Sequence, residues 1–293
     1  MSARQEVSLN NMPSAKVGEN FLFQDENMDA LKVSAVNIRL STFQRIGIKK
    51  AEFSGGNLTQ SIFENVYGRE AVFRNVNFTG SIFRNCNFQK ATFQSCDFRY
   101  CYFYNCLLPD EEMKACLPSE PNLKKELACN LKMNYLGIGK KSTADTFLGI
   151  EIQASEDLLL EIFKSKTSYY KDQYDLLDRL DSLRKYFVSK LAGLIWGYGY
   201  RYWMLLCSYL VFMILLATIV FIGENSFFDP EGQIVELSYW QCIQTIFYES
   251  LKYSFTTMKP IGGLSSSILF ISRFLGIIYL GLLGATLYRR IAR

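Results

Sequence analysis

The 293-residue sequence predicts a multidomain chain of mixed α and β class: a coiled N-terminal unit, a helical middle and a C-terminal membrane module. Three observations predict it. A large apolar residue returns at every fifth position from Phe23 to Leu108. Two stretches near the C-terminus are each long and apolar enough to cross a bilayer. Between those two lies a third apolar segment that carries charge. The boundaries read as a tail over 1–20, the repeat unit over 21–108, a helical linker over 109–200 and the membrane module over 201–293.

The repeat runs Phe23, Met28, Val33, Ile38, Phe43, Ile48, Phe53, Leu58, Phe63, breaks at Gly68, and resumes as Phe73, Phe78, Phe83, Phe88, Phe93, Phe98, Phe103 and Leu108. Two residues earlier sits a mostly small series that includes Ser41, Ala51, Gly56, Ser61, Ala71, Ser81, Cys86, Ala91, Cys96, Cys101 and Cys106. An amphipathic helix needs a period near 3.6 and a strand needs 2. Period five fits a chain that turns a corner every five residues and sends one large and one small side chain inward.

The runs AVFRN-VNFTG-SIFRN-CNFQK-ATFQS-CDFRY resemble the pentapeptide-repeat family. The resemblance implies a right-handed, four-sided β-solenoid over 21–108. Four repeats then make a coil of about twenty residues, stacked at roughly the 4.8 Å strand spacing. Residues twenty apart would lie above one another. Asn65, Asn85 and Asn105 would form one ladder, Asn57, Asn77 and Asp97 another, and Cys86 would stack on Cys106. A buried thiol in the small inward slot reads as an apolar filler. Some members of the family mimic DNA with an acidic surface. The ten basic and seven acidic residues of 21–108 argue against that here. A scaffold or sensor surface for a protein partner is the better expectation.

Composition removes several classes of chemistry. There is no histidine, so Ser-His-Asp triads, Cys-His pairs and HExxH zinc sites are excluded. The eight cysteines form no CxxC pair. No Walker-type loop or Gly-rich dinucleotide turn is present. The expectation is no enzyme, no catalytic residue, no metal and no cofactor. A formal net charge of +4 gives no basis for nucleic-acid binding.

Residues 122–135 and 144–165 read as helices. The stretch NLKMNYLGIGKKSTADTFLGIE, followed later by WGYGYRYW, resembles the linker of membrane-anchored pentapeptide-repeat proteins of bacteria. A long amphipathic helix is expected from Tyr170, with Leu176, Leu180, Leu183 and Phe187 on one face. It reads either as an oligomerisation or gating helix or as one packed on its own domain.

Trp203 to Gly223 carries no charge and is long enough for a hydrocarbon core of ~30 Å. Trp196, Tyr198, Tyr200, Tyr202 and Trp203 crowd its front edge, as an interfacial belt does. A second span runs from Ser265 to Tyr288 and ends in RRIAR. The basic clusters flanking both spans put both termini in the cytoplasm of a multi-pass inner-membrane protein. The polar first thirty residues contain no secretory signal, which leads to the same orientation.

The segment YWQCIQTIFYESLKYSFTTMKPIGGLSS between the spans contains Glu249 and Lys252. A third crossing would bury both, at about 2.5–3.5 kcal/mol each at the membrane centre. A re-entrant helix costs less. The segments YESLKYSFTTM and ISRFLGIIYLGLLGATLYRR resemble the pore helix and lining helix of two-span tetrameric cation channels. The resemblance implies a homotetramer conducting an inorganic ion through the bilayer. Its filter would fall on Thr256, Thr257, Met258, Lys259, Pro260, Ile261, Gly262 and Gly263, and its gate on Arg273, Gly276, Gly281 and Gly284. The Gly-Tyr-Gly run of a potassium filter is missing, so potassium selectivity is not expected. Arg273 reads better as a partner of Glu249 than as a gating charge, and the glycines as bend or packing points. The competing reading is a membrane-tethered interaction scaffold without conduction.

Overall fold

The computed structural model describes residues 5–6, 17–165, 168–199, 202–223, 225–228, 232–251 and 259–291. The chain divides into two units, 1–182 and 183–293.

The first unit opens with strands β1 (Gln5–Glu6), β2 (Val17–Glu19), β3 (Phe21–Gln24), β4 (Lys32–Arg39), β5 (Thr42–Gln44), β6 (Glu52–Asn57), β7 (Ile62–Glu64), β8 (Val72–Asn77), β9 (Ile82–Arg84), β10 (Thr92–Gln94) and β11 (Tyr102–Tyr104). They form two parallel sheets, ordered β1-β3-β5-β7-β9-β11 and β10-β8-β6-β4-β2. From residue 17 onward the register is twenty residues: Phe43 pairs Phe63, Phe53 pairs Phe73 and Phe83 pairs Phe103. Isolated parallel bridges at Asn27–Gly47–Tyr67–Asn87–Leu107 supply a third side of the coils, and the ends of β4, β6 and β8, continued by the Asn77–Asp97 bridge, supply the fourth. The result is a β-solenoid of roughly four turns. Pairing begins ahead of Phe21, at Val17–Glu19 and Gln5–Glu6.

The five-residue period has a backbone cause. Every fifth residue from Asn20 to Asn105 has positive φ, and each turns a corner. Such a conformation is strained for most side chains and mildest for Gly and Asn. Asn65, Asn85 and Asn105 occupy three of these corners, and the Asn105 amide donates to Asn85 Oδ1 at 2.9 Å. Asn57, Asn77 and Asp97 sit one residue ahead of the inward apolar position. Each accepts the backbone N–H two residues on, at 2.9 to 3.2 Å.

Inside, like stacks on like. Phe23, Phe43, Phe63, Phe83 and Phe103 form one column, with successive centroids 4.7 to 5.0 Å apart. Neighbouring columns meet edge to face, as aromatic quadrupoles prefer. The hydroxyls of Ser41 and Ser61 are buried, but each accepts an N–H from the coil before it. The break at Gly68 is a packing solution. A Cβ there would lie 2.6 Å from the Phe88 ring and 3.3 Å from Ile48. The ring one coil away fills the vacant volume.

The last coil is closed by helices α1 (Asp110–Ala115), α2 (Pro121–Gly137) and α3 (Lys141–Lys164). An open sheet edge leaves N–H and C=O groups unpaired. Here Glu112 accepts from Phe93 N at 2.8 Å and Asn130 from Phe103 N at 2.7 Å. Asn134 accepts from Cys106 N at 2.7 Å and donates to its carbonyl at 2.9 Å. Met113, Leu127, Leu131, Tyr135 and Phe147 join the phenylalanine core. The first part of the segment read as a linker is thus a cap.

The helix read from Tyr170 is two helices, α4 (Ser168–Gln173) and α5 (Leu176–Trp196). Leu176, Leu180 and Phe187 on α5 are exposed, and Leu183 between them is half-buried. The second unit continues through a 3-10 turn (Gly197–Gly199), α6 (Tyr202–Gly223), β12 (Ser226–Phe228), β13 (Ile234–Glu236), α7 (Tyr239–Leu251), β14 (Lys259–Pro260) and α8 (Gly263–Ile291). Among the described residues, α6 and α8 are the two helices long and apolar enough to cross a membrane.

Two outcomes follow from the solenoid core. Gly68→Phe restores the repeat yet should destabilise by about 1–3 kcal/mol, the range for overpacking, read as a lower midpoint in denaturant unfolding. Burial pushes the Cys101 thiol up from 9.0 to about 12. The unfolded chain therefore ionises this thiol first. Its contribution is complete below pH 9 and falls between pH 9 and 12, by about 1.4 kcal/mol per pH unit at most. Cys101→Ser, which continues the Ser41–Ser61–Ser81 column, should lose less stability than the parent between pH 8 and 11.

Candidate functional site

The region between α6 and α8 is organised by a three-stranded antiparallel sheet, β13-β12-β14. β12 begins just after α6, and β14 ends just before α8. Phe227 pairs both Val235 of β13 and Pro260 of β14. The chain therefore leaves this sheet at Glu236, forms α7, and is back on it at Lys259. Met213, Leu216, Ala217 and Val220 of α6, Cys242 and Ile246 of α7, and Ile268 and Leu269 of α8 close a shared apolar core beneath it.

α7 is amphipathic, and its last turn carries polar groups into that packing. Glu249 and Ser250 are both buried. Arg273 of α8 donates its Nε to Glu249 Oε2 at 2.6 Å, and its Nη2 also contacts that oxygen. The pairing read from the sequence is formed. Glu249 Oε1 is buried and has no hydrogen-bond partner among the described residues. A carboxylate at a helix C-terminus faces the negative end of the helix dipole, which makes the guanidinium more necessary. Ser250 donates to Phe247 O at 2.7 Å and lies 2.5 Å from the Tyr209 hydroxyl of α6. The Tyr209 ring in turn packs on Tyr279 of α8 at 5.3 Å.

Gly276 permits this junction. A Cβ there would lie 1.9 Å from the Ser250 carbonyl oxygen. Gly281 and Gly284 face open space, with nothing within 4 Å of such an atom. Of the three glycines read as bend or packing points, only Gly276 packs within the described chain. Thr256, Thr257 and Met258 lie outside the described residues. Lys259 and Pro260 form β14, Ile261 is exposed, and Gly262 and Gly263 lead into α8. Sequence reasoning passed over Tyr209, Ser250 and Tyr279. The available signal was a hydroxyl inside each otherwise apolar run.

Elsewhere the cysteines of the solenoid behave as fillers. Cys86 donates weakly to Phe63 O and Cys96 to Phe73 O, and burial pushes both thiols up, Cys96 to about 12. Among the described residues no group of His, Cys, Asp and Glu could hold a metal ion.

Residues 71–108 match the family model described as pentapeptide repeats, in eight copies. This stretch is a pentapeptide-repeat array. Among curated proteins none matches the chain. Solved structures with some similarity include two trypsin-treated variants of QnrB1, a plasmid-mediated fluoroquinolone resistance protein. Their identities are 21% and 22%, with TM-scores of 0.21 and 0.20. These alignments cover 35% and 30% of this chain, and it spans about half of theirs, 53% and 56%. A pentapeptide repeat protein of the Arabidopsis thaliana thylakoid lumen is 15% identical, with a TM-score of 0.16, over 36% of this chain and 89% of that one. Likeness at this level supports no statement about function.

The Glu249–Arg273 pair should behave as a unit. Arg273→Leu alone leaves a buried carboxylate and should cost about 3–5 kcal/mol, whereas adding Glu249→Leu should recover most of the loss. Thermal unfolding in detergent of the two single variants and the double variant checks this. A double variant as unstable as the worse single one would count against the pairing.

Proposed function

We propose that this protein is the subunit of an oligomeric membrane pore or permeability effector, with a pentapeptide-repeat solenoid as its cytosolic sensing or scaffold domain. The observation that carries the reading is the shared strand. β13 and β14 flank α7 and both pair with β12, at the end of α6 and the start of α8. α7 has 13 residues and spans about 20 Å, short of a ~30 Å hydrocarbon core. Its contacts agree with that length. Tyr209 and Gly276, which meet Ser250 near its C-terminus, each lie about 20 Å along their helices from the sheet end. These distances support a re-entrant α7 that enters and leaves on one side of the bilayer.

A re-entrant segment needs protein or a water-filled cavity around its non-helical backbone. α6 and α8 of one chain leave much apolar surface exposed, including Leu215, Phe270 and Leu280. Several copies around a central axis would cover such surface and enclose the segment that follows α7. A tetramer is the assembly in which four such segments would meet. Lys259, at the start of β14, argues against a potassium filter and for a weakly selective or anion-tolerant path. In this scheme a protein partner at the solenoid would bias the pore through the helices between them. The inner membrane, with both termini cytoplasmic, is the matching location.

Reconstitution of the purified chain in a planar bilayer tests the proposal. Step-like currents are expected, and Lys259→Glu should move the reversal potential towards cation preference in a salt gradient. Silence of a correctly assembled oligomer, with any voltage or solenoid partner, would leave a membrane-tethered scaffold as the better account.

A further inference from the structure

α5 carries a surface that its own chain does not cover. In its membrane-proximal part Phe187, Val188, Leu191 and Leu194 are 54 to 68% exposed. Phe187, Leu191 and Leu194 follow an i, i+4, i+7 spacing and share one face. Arg184 and Lys190 lie on the two edges of this apolar arc, and Lys185 lies on the far side of the helix. Charge changes sign along the helix. Residues 175–182 contain Asp175, Asp178 and Asp181, while 183–196 contain Arg184, Lys185 and Lys190 and no acidic residue.

The depth of this face can be read from α6. Ser208 donates its hydroxyl to the carbonyl of Ile195 at 2.6 Å, so the end of α5 lies beside the second turn of α6. That point is about 9 Å along α6 from Tyr202. The chain reverses between them through Tyr198, whose φ is 55°. Among the described residues, α5 does not go on to pack along α6, α7 or α8. The last turns of α5 are thus held level with the first turns of a span while the apolar face points away from the bundle.

We propose that residues 183–196 form an interfacial helix, seated at the headgroup–acyl boundary of the bilayer. An amphipathic helix of this kind buries its apolar face ~5–10 Å into that boundary and carries Lys and Arg on its polar side. Taking Tyr202 as the start of the span, the ~9 Å offset of Ser208 along α6 falls in that range. The partner is the lipid surface, with the basic edges suited to acidic headgroups. The inference rests on the reading of α6 and α8 as membrane spans.

Nitroxide scanning of the full chain in phosphatidylcholine–phosphatidylglycerol vesicles tests it. Cys116, Cys129 and Cys207 are first replaced by serine, the remaining thiols being buried. Labels are then placed singly at 187, 189, 191 and 194, and at Leu215 within α6. Positions 187, 191 and 194 should show a several-fold higher ratio of oxygen to nickel-complex collisions than position 189. Equal nickel access at all four would put the helix in water and overturn the proposal. Spin–spin broadening at 187, 191 and 194, with access for neither collider, would mean that copies of the chain cover this face, and would also overturn it. Leu215 separates the two levels. Nickel access there would remove the membrane spans themselves, whereas nickel exclusion at 215 with access at 191 would remove only the interfacial helix.

Discussion

The twenty-residue parallel register is the constraint on which the solenoid depends. It makes each inward side chain the neighbour of its own equivalents one coil above and below. The phenyl columns follow from it, with rings 4.7 to 5.2 Å apart at nearly the strand spacing. Buried hydroxyls are satisfied in the same way, each by a group twenty residues distant. The register also makes column volume matter more than the residue at any one level. Met28, Ile48, Gly68, Phe88 and Leu108 fill one column unequally, and Phe88 supplies what Gly68 lacks.

A register that can repeat must also be stopped. The final coil exposes donors on a sheet edge, and the cap answers them with side chains. Glu112, Asn130 and Asn134 each accept one backbone N–H of the last coils. Polar side chains on a helix facing an apolar core would otherwise be costly to bury. Here their partners come from the solenoid backbone, so one core runs from phenylalanine columns into a helical pair.

The second unit meets the same demand within its apolar helices. Glu249 and Ser250 of α7 meet Arg273 and Gly276 of α8 and Tyr209 of α6 at one junction. A junction of this kind ties the end of a short helix to both long ones.

The five-residue period, the two apolar spans and the charged segment between them were legible in the sequence, because each is a local pattern of volume or charge. The Glu249–Arg273 pair was legible as well, since two opposite charges in apolar surroundings have few other ways to be neutralised. The cap was not legible, because Asn130 and Asn134 look like ordinary helix-surface residues until the last coil is set beside them. The break at Gly68 was visible only as an interruption, and its reason lies twenty residues away in Phe88. Gly276 could not be told from Gly281 and Gly284 by sequence, since only the approach of the Ser250 carbonyl distinguishes them. Sequence alone determined which residues must avoid water. The tertiary structure decided which of them meet, because contact across twenty or more residues is set by backbone register and helix packing rather than by composition.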